Sequence, residues 1–452
     1  MSSPTHPHAR LTTGSTMRHV VEMTFAGSLG LIAVFAVDFL SLFYISLLRN
    51  EQLTAGVGYA TTVLFLAISV NIGLMIAVSA LVARRLGAGD KQEARKVAAS
   101  GATLGALSGL AVSLGMLLFM PQILNALGAE GPSRPVAERF LWIVLPSNII
   151  MALGMSLSGI LRAAGDARRA MLVTLTGGVV TAFVEPLLIF GFGLGTDGAA
   201  LGTVVSRFIM LLIGYAGVVR HHNLMARPSG EDIARHFAPL AQIAVPAVLT
   251  NVASPIAIAF VLSVVRQFGP EAVTASTIID RVIPLAYGVI FALSGSVGPI
   301  LAQNYGAGRF DRVRQTLRDA LVFAIGYCVL VWIVLALGRH QIPALFGASE
   351  RTAEFIRLYC LLGTIAWFFN GLMFVANAAF NNLGHPLYSL VFNWGRATLG
   401  TMPFAVIGAQ IDGYRGLLFG LILGWGLLGI ASMVIAFRAI AGLEARAATA
   451  GT

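Results

Sequence analysis

The sequence predicts an all-α polytopic membrane protein, with twelve transmembrane helices in two pseudo-symmetric six-helix lobes. Three observations predict this class: an apolar composition, a series of long apolar runs, and an internal repeat. Of the 452 residues, 57% are hydrophobic and only 11% are charged, and the mean hydropathy is +0.83. Soluble domains carry about 25% charged residues, so a soluble fold is excluded.

Apolar runs recur from one end of the chain to the other. A bilayer core about 30 Å thick requires about 20 apolar residues per helix, and strands of a membrane barrel are much shorter. The 50 glycines often fall within the runs, which suits close packing of membrane helices. The predicted spans are 20–48, 55–83, 97–120, 138–161, 170–192, 198–219, 240–266, 273–303, 316–337, 355–381, 387–410 and 414–438.

The net charge of +10 is explained by the distribution of basic residues between loops. Loops predicted on the side of the termini hold more than twice as many arginines and lysines as the opposite loops. This bias is the positive-inside rule, and it predicts that both termini are cytoplasmic. The basic surplus therefore indicates membrane topology and no nucleic-acid partner.

The chain contains an internal duplication. Three matched pairs of glycines are each separated by 219 residues and occupy corresponding predicted loops. The pairs are Gly87 and Gly306 in RRLGAGDKQEARK (84–96) and QNYGAGRFDRVRQ (303–315), Gly128 and Gly347 in ALGAE (126–130) and LFGAS (345–349), and Gly165 and Gly384 in LRAAGDARRA (161–170) and FNNLGHPLYS (380–389). In the first pair of loops, glycines with positive φ are expected to end the preceding helices.

The duplication predicts the domain organisation. Six spans per copy is an even number, so both copies enter from the same side, and the pseudo-twofold axis runs along the membrane normal. The predicted lobes are 1–219 and 240–452, joined by a polar cytoplasmic linker at 220–239. Paired bundles of this kind place a transporter's substrate at their interface, where rocking exposes it to each side in turn.

Two acids within predicted spans of the first lobe are candidates for an ion site. Asp38 lies in the apolar run LIAVFAVDFLSLFYISLL, and Glu185 precedes Pro186 in the fifth span. A carboxylate in a span costs about 2.5–3.5 kcal/mol on insertion scales, and desolvation favours its protonated form. Such a group can bind and release a proton as access alternates. Pro186 is expected to disfavour helical dihedrals at Glu185 and to leave the carbonyl of Ala182 unbonded.

Several sequence motifs together resemble the multidrug and toxic compound extrusion (MATE) transporters. These are VARRLGAGD with its second copy LAQNYGAG, NALGAE, ILRAAGD at 160–166, and FVEPLLIFGFGLGTDGAALGT at 183–203. The resemblance covers about residues 20 to 440. It implies twelve helices in two lobes, and export of organic compounds driven by entry of H⁺ or Na⁺.

The resemblance implies a cation-coupling site in the first lobe. Asp38 and Glu185 match its acids, although Glu185 replaces a commoner aspartate. Thr181, in the place of a common asparagine, and Thr203 could supply further oxygens to a proton-bound water or to Na⁺. Two features depart from the family pattern: no proline occurs between Pro7 and Pro121, and the stretch 246–255 in the seventh span has no carboxylate.

Other polar residues of the spans are candidates for the substrate cleft or for a charge network. Asp280 and Arg281 are adjacent, hence about 100° apart on a helix, so they are not expected to pair with each other. The alternative to lining the cleft is that they form structural salt bridges with other charged residues of the spans. If the arginines line a cleft, an anionic or zwitterionic substrate becomes plausible. The candidates are Arg207, Asn251, Asp280, Arg281, Asn377 and Arg396.

The function predicted is a secondary-active multidrug exporter in the bacterial inner (plasma) membrane. Its substrate is expected to be an amphipathic, cationic organic compound, its coupling ion H⁺ or else Na⁺, and its state monomeric. The alternatives are a lipid-linked precursor flippase of the same superfamily and a major-facilitator-type transporter. No P-loop, His/acid cluster or nucleophile motif favours an enzyme, and Cys328 and Cys360 lack nearby ligands for a metal. No cofactor is expected.

Overall fold

The computed structural model describes residues 9–450, apart from the side chains of Asp38 and Ala450. Within that range every regular element is a helix, which confirms the predicted all-α class. The helices that are long and apolar enough to cross a membrane begin with α1 Thr16–Ser46, α2 Glu51–Gly87, α3 Lys91–Leu118, α4 Ser133–Ala163, α5 Ala167–Gly191, α6 Gly195–His221, α7 Gly230–Phe268, α8 Pro270–Gly306, α9 Phe310–Leu337 and α10 Glu350–Leu383.

The last apolar segment, Pro386–Thr449, contains two spans. Its 64 residues would extend about 96 Å as one helix, three times the thickness of a bilayer core. Asp412 and Gly413 leave the helical region, with φ/ψ of −142°/39° and 54°/−139°. The segment therefore forms α11 (386–411) and α12 (414–450), and the predicted total of twelve spans is confirmed.

Glycines hold α11 and α12 together as an antiparallel hairpin. A Cβ atom on Gly416, Gly420 or Gly424 would collide with the carbonyl oxygen of Gly408, Phe404 or Gly400, respectively. These three pairs are symmetric about residue 412. The ridge of small residues lets the two backbones approach more closely than any side chain would permit.

The helix α11 is interrupted within the span. Its first part ends at Ala397, residues 398–401 form turns, and the helix resumes at Met402. Thr401 Oγ1 donates to the carbonyl of Arg396 at 2.6 Å and accepts from Trp425 Nε1 at 2.9 Å. The threonine therefore ties the interruption to α12.

The duplicated loops have the same backbone conformation. Gly89 and Gly308 follow the ends of α2 and α8 with φ of 79° and 69°, as the sequence predicted. The same correspondence holds for two further pairs of loops. These are Gly128 and Gly347, with φ of 73° and 60°, and Gly165 and Gly384, with φ of 77° and 94°.

The described chain divides into two compact units. The first unit holds residues 9–10 and 29–248, and the second unit holds residues 11–28 and 249–450. The chain therefore passes between the units within α1 and again within α7.

In the second unit, the segment that precedes α1 is held by side chains of α9 and of its preceding loop. Arg309 and Arg312 donate to backbone carbonyls of residues 11–14 at 2.9–3.4 Å. At the start of α1, Thr16 Oγ1 donates to Asp319 Oδ2 at 2.5 Å. The cationic side chains thus satisfy carbonyls that no helix pairs.

In the first unit, the segment that precedes α7 and the beginning of α7 are held by α3. His236 contacts Ser100 Oγ through Nδ1 and Glu93 Oε1 through Nε2, both at 3.0 Å. Lys96 adds an ion pair with Asp232 at 3.4 Å. The side chain of His236 is only 5% exposed, so both of its nitrogens depend on these protein partners.

Candidate functional site

Of the two predicted coupling acids, the structure describes one side chain. Asp38 lies within α1, but its side chain is outside the described part of the chain. Glu185 lies on α5 and is 1% exposed. Its Oε2 accepts a hydrogen bond of 2.5 Å from Ser41 Oγ of α1. A carboxyl group buried at this depth is costly unless it is hydrogen-bonded or protonated.

Gly202 of α6 packs directly against Glu185. A Cβ atom at residue 202 would lie 2.5 Å from Glu185 Cγ and 3.3 Å from its Cα. Only glycine permits this approach of α6 to the carboxyl-bearing turn of α5.

Pro186 shapes the backbone beside this acid. The helix continues through Glu185 to Pro186, so the expectation of non-helical dihedrals at Glu185 is wrong, and the deformation follows the proline as a π turn at Leu187–Gly191. The wider turn accommodates the missing donor of the proline ring. The carbonyl of Ala182, which loses its helical partner, accepts from Tyr44 Oη at 3.2 Å.

The two predicted threonines lie on the helices that enclose Glu185. Thr181 Oγ1 donates to the carbonyl of Gly177 at 3.0 Å, and Thr203 Oγ1 donates to that of Ala199 at 3.1 Å. Each bond lies within the threonine's own helix. A hydroxyl that donates in this way keeps oxygen lone pairs that can still accept.

Arg207 of α6 is bound by neutral oxygens. It is 5% exposed, and its Nη1 donates to the carbonyl of Val144 at 3.1 Å and to Ser147 Oγ at 2.9 Å. Val144 immediately precedes the 3₁₀ turn Leu145–Ser147, where α4 is interrupted, and Ser147 is its last residue. Arg207 therefore satisfies oxygen atoms that the interruption of α4 exposes.

Arg396 of α11 has fewer polar partners. It is also 5% exposed, its Nη2 donates to Ser254 Oγ at 3.1 Å, and its Cζ lies 4.8 Å from the ring centroid of Trp425. Its buried Nε has no hydrogen-bond partner, and neither has Nδ2 of Asn251 on α7.

The remaining predicted residues lie in different environments. Asp280 and Arg281 of α8 are exposed, and neither forms an ion pair with another described residue. Asn377 is buried, and its Oδ1 accepts from Asn393 Nδ2 at 3.0 Å. This bond joins α10 to α11, so Asn377 contributes to helix packing.

The sequence reasoning missed Ser41, Tyr44 and Gly202. Ser41 lies three residues after Asp38 and Tyr44 lies three residues after Ser41. Residues three apart share a face of a helix, so this spacing could have identified both hydroxyls. The role of Gly202 depends on the crossing of α5 and α6, which no local pattern reveals.

A second polar cluster lies where α5 begins and α6 ends, around Asp166 of the turn between α4 and α5. His222 Nε2 and Arg169 Nη1 contact the same oxygen of Asp166 at 2.7 and 2.5 Å, and His221 lies close enough to complete a set of three potential metal ligands. Burial opposes the charged form of Asp166, but hydrogen bonds from His222 and Arg169 outweigh it and hold the pKa of this carboxyl group well below its ordinary value. A guanidinium on the same oxygen indicates a structural ion pair.

Comparisons with known proteins agree with this architecture. The family model described as MatE matches residues 28–187 and 246–407. A FAD transporter of Shewanella oneidensis is 30% identical over 432 residues, covering 93% of this chain and 94% of that protein. The multidrug export protein MepA of Staphylococcus aureus is 24% identical over 408 residues, covering 88% of each.

Solved structures share the fold over nearly the whole chain. Crystal structures of the Vibrio cholerae MATE transporter VcmN include one in the bent form, which has a TM-score of 0.91 at 22% identity and covers 95% of this chain and 98% of its own. A transporter of the MOP superfamily from Pyrococcus furiosus has a TM-score of 0.89 at 23% identity, with 98% and 100% coverage. The chain belongs to the MatE family of multidrug and toxic compound extrusion transporters, as its sequence motifs predicted.

Proposed function

We propose that this chain is a secondary-active exporter in which entry of H⁺ at Asp38 and Glu185 drives the export of an organic compound. The observation that carries the proposal is the environment of Glu185, a buried carboxyl group beside a deformed helix with a hydroxyl donor 2.5 Å away. Family membership supports transport and weighs against both an enzyme and the major-facilitator alternative.

The chemistry of the carboxyl group explains how a proton would alter the site. An ionised carboxylate only accepts hydrogen bonds, as from Ser41, whereas a protonated carboxyl group also donates one. Protonation therefore changes which contacts between α1 and α5 are favourable, and it lowers the cost of isolating the site from water. A site that opens to opposite sides of the membrane in different protonation states exchanges a proton for substrate.

Na⁺ is the second candidate for the coupling ion. Na⁺ would require several oxygen ligands, whereas a proton binds to the carboxyl group itself. Hydroxyl oxygens of Ser41, Thr181 and Thr203 are available on α1, α5 and α6, the helices around Glu185. The carboxyl groups of Asp38 and Glu185 can bind either cation. Separate imposed gradients of H⁺ and Na⁺ distinguish the two.

The substrate class is proposed as amphipathic and organic. Relatives are named for multidrug export and for FAD transport, so the similarity supports an organic solute. A lipid-linked precursor flippase of the same superfamily is the remaining alternative, and it predicts movement of a lipid headgroup between leaflets without efflux of a soluble dye.

The test is export by purified protein in proteoliposomes under separately imposed H⁺ and Na⁺ gradients. Ethidium, flavin mononucleotide and a headgroup-labelled lipid serve as probes. Glu185→Gln is expected to reduce ion-driven export at least about tenfold, since one charged hydrogen-bonding group is worth about 1.5–3 kcal/mol. Asp38→Asn is expected to do the same.

The control variant is Glu138→Gln, which removes a half-buried acid paired with Arg134 on α4. It is expected to retain export. Normal export by both Asp38→Asn and Glu185→Gln would contradict the coupling assignment, and the absence of any gradient-driven solute would contradict the exporter itself.

We also propose a monomer in the bacterial inner membrane with both termini in the cytoplasm, acting without a bound cofactor. The excess of basic residues in one set of loops supports the orientation. Accessibility of single cysteines introduced at residues 91 and 130 to a membrane-impermeant reagent tests it, since these positions belong to loops predicted on opposite sides.

A further inference from the structure

We propose that Arg396 binds the anionic group of the transported compound, and that the second unit holds a subsite for an anion that carries a flat aromatic ring, such as a phosphate ester of an aromatic compound. This inference rests on the proposed export function and specifies the chemical class of the substrate.

Arg396 lies next to the interruption of α11. It lies in the last turn before the interruption at residues 398–401. Interrupted helices within a membrane are tolerated where they are buried in protein or line a cavity, and transporters use them to bind ligands. Arg396 is thus a cation beside an irregular backbone within a span.

The partners of the guanidinium are the second argument. Arg396 carries five N–H groups, yet its one hydrogen bond to a side chain is with Ser254, and its buried Nε has no acceptor. It forms no ion pair with a carboxylate of a described residue. Buried cations in membranes normally pair or mark a ligand pathway, and the indole of Trp425 offsets only part of the charge.

A second unpaired donor supports the same ligand. The buried Nδ2 of Asn251 also lacks an acceptor. Asn251 lies three residues before Ser254 on α7 and therefore shares its face of the helix. An oxyanion accepts hydrogen bonds from both amide and guanidinium groups, so one ligand class would satisfy donors that the protein leaves unpaired.

Aromatic side chains indicate the rest of the ligand. Trp367 meets Trp425 edge to face, with ring centroids 6.2 Å apart, and stacks on Tyr287 at 4.8 Å. Phe291 contacts Trp367 at 5.5 Å. Aromatic rings attract one another in offset-stacked and edge-to-face geometries, so we expect a ligand beside this cluster to carry a flat ring.

Arg207 provides the contrast within the same molecule. It is equally buried, but its guanidinium donates to the backbone at Val144 and to Ser147, atoms that the interrupted α4 exposes. The structure thus assigns Arg207 to helix stability and Arg396 to a ligand.

The test compares two ligands that differ by one phosphate. Purified protein in nanodiscs is titrated with flavin mononucleotide and with riboflavin, and flavin fluorescence reports binding. The wild type is expected to bind the phosphate at least about tenfold more tightly. Arg396→Gln should bring the affinity for flavin mononucleotide down to that for riboflavin and leave riboflavin unchanged, and Arg396→Lys should lie between.

Asn251→Ala is the second variant, because it removes a donor that supports no internal bond. It should weaken binding of flavin mononucleotide and leave riboflavin unchanged. Equal affinities in the wild type, absence of flavin mononucleotide binding, or equal losses of both ligands in Arg396→Gln and Asn251→Ala would each overturn the proposal. Binding requires no ion gradient, so its failure is distinguishable from a failure of ion-driven export.

Discussion

Replacing Gly202 with alanine tests how tightly α6 encloses the candidate coupling acid. The new Cβ would lie 2.5 Å from Glu185 Cγ, about 0.9 Å short of the 3.4 Å at which ordinary contact begins. Overpacking of this kind costs about 1–3 kcal/mol, and the alanine regains about 0.5–1 kcal/mol of helix propensity. We expect a net loss of about 1 kcal/mol in the free energy of unfolding, and at most about 2.5 kcal/mol.

Gly58→Ala is the matched control. Gly58 lies in α2 and a Cβ there would meet nothing within 4 Å. Only the propensity term remains, so this variant is expected to be neutral or more stable by about 0.5–1 kcal/mol. The two glycine substitutions should therefore have opposite signs.

A double-mutant cycle assigns the loss to the acid. Glu185→Ala removes the Cγ atom that the new methyl group would strike and leaves Cα and Cβ at 3.3 and 3.5 Å. Gly202→Ala should therefore cost about 1 kcal/mol less in that background, within the range of couplings between contacting residues. Unfolding in mixed detergent micelles measures the free energies. An equal cost in both backgrounds would refute the packing derived for Glu185.

Two further substitutions test individual hydrogen bonds. Tyr44→Phe should lower the free energy of unfolding by about 1–3 kcal/mol because the carbonyl of Ala182 loses its donor. The control Tyr59→Phe removes an exposed hydrogen bond to the carbonyl of Gly128 and should change the free energy of unfolding by less than about 0.5 kcal/mol. Equal effects of the two substitutions would contradict the role of Tyr44. Asp166→Asn should cost about 1.5–3 kcal/mol, whereas Asp90→Asn, an exposed helix cap, should cost little. Because the pKa of Asp166 is lowered, the stabilisation that its carboxylate provides is fully present above the ordinary carboxyl pKa and is lost as pH falls through the depressed value. In thermal unfolding, Asp166→Asn should therefore be less stable than the wild type by a constant amount from about pH 5 to 8. A difference that vanishes within that range would contradict the ion pair.

The membrane fold was largely predictable because its main constraints are local in the sequence. An apolar run must satisfy its backbone within a helix, so composition and length identify a span. Glycines such as Gly89 and Gly308 require positive φ, and their spacing revealed the duplication. The interruption of α11 was not predicted, although Pro403 in the first turn after it has no N–H for the carbonyl of Leu399. The bonds of Thr401 to Arg396 and Trp425 hold the interruption against α12.

The candidate site was predictable in its charges but not in its partners. Glu185 is conspicuous in an apolar run, since a carboxyl group there has a large cost, and Pro186 identified the carbonyl of Ala182. Tyr44, which bonds that carbonyl, lies 138 residues earlier. A pairing between helices so distant in sequence depends on how they cross, and propensity and periodicity do not encode it.

The segments that precede α1 and α7 determine whether each copy of the repeat could be expressed alone. Each copy of the repeat is preceded by a stretch that completes the scaffold of the other copy: residues 11–28 belong with 249–450, and residues up to 248 belong with the first copy. If the two copies were expressed as separate chains, cut between them before α7, His236 would be separated from Glu93 and Thr16 from Asp319. Each copy would then lack the segment that packs with it in the intact chain. We therefore expect that neither copy folds alone.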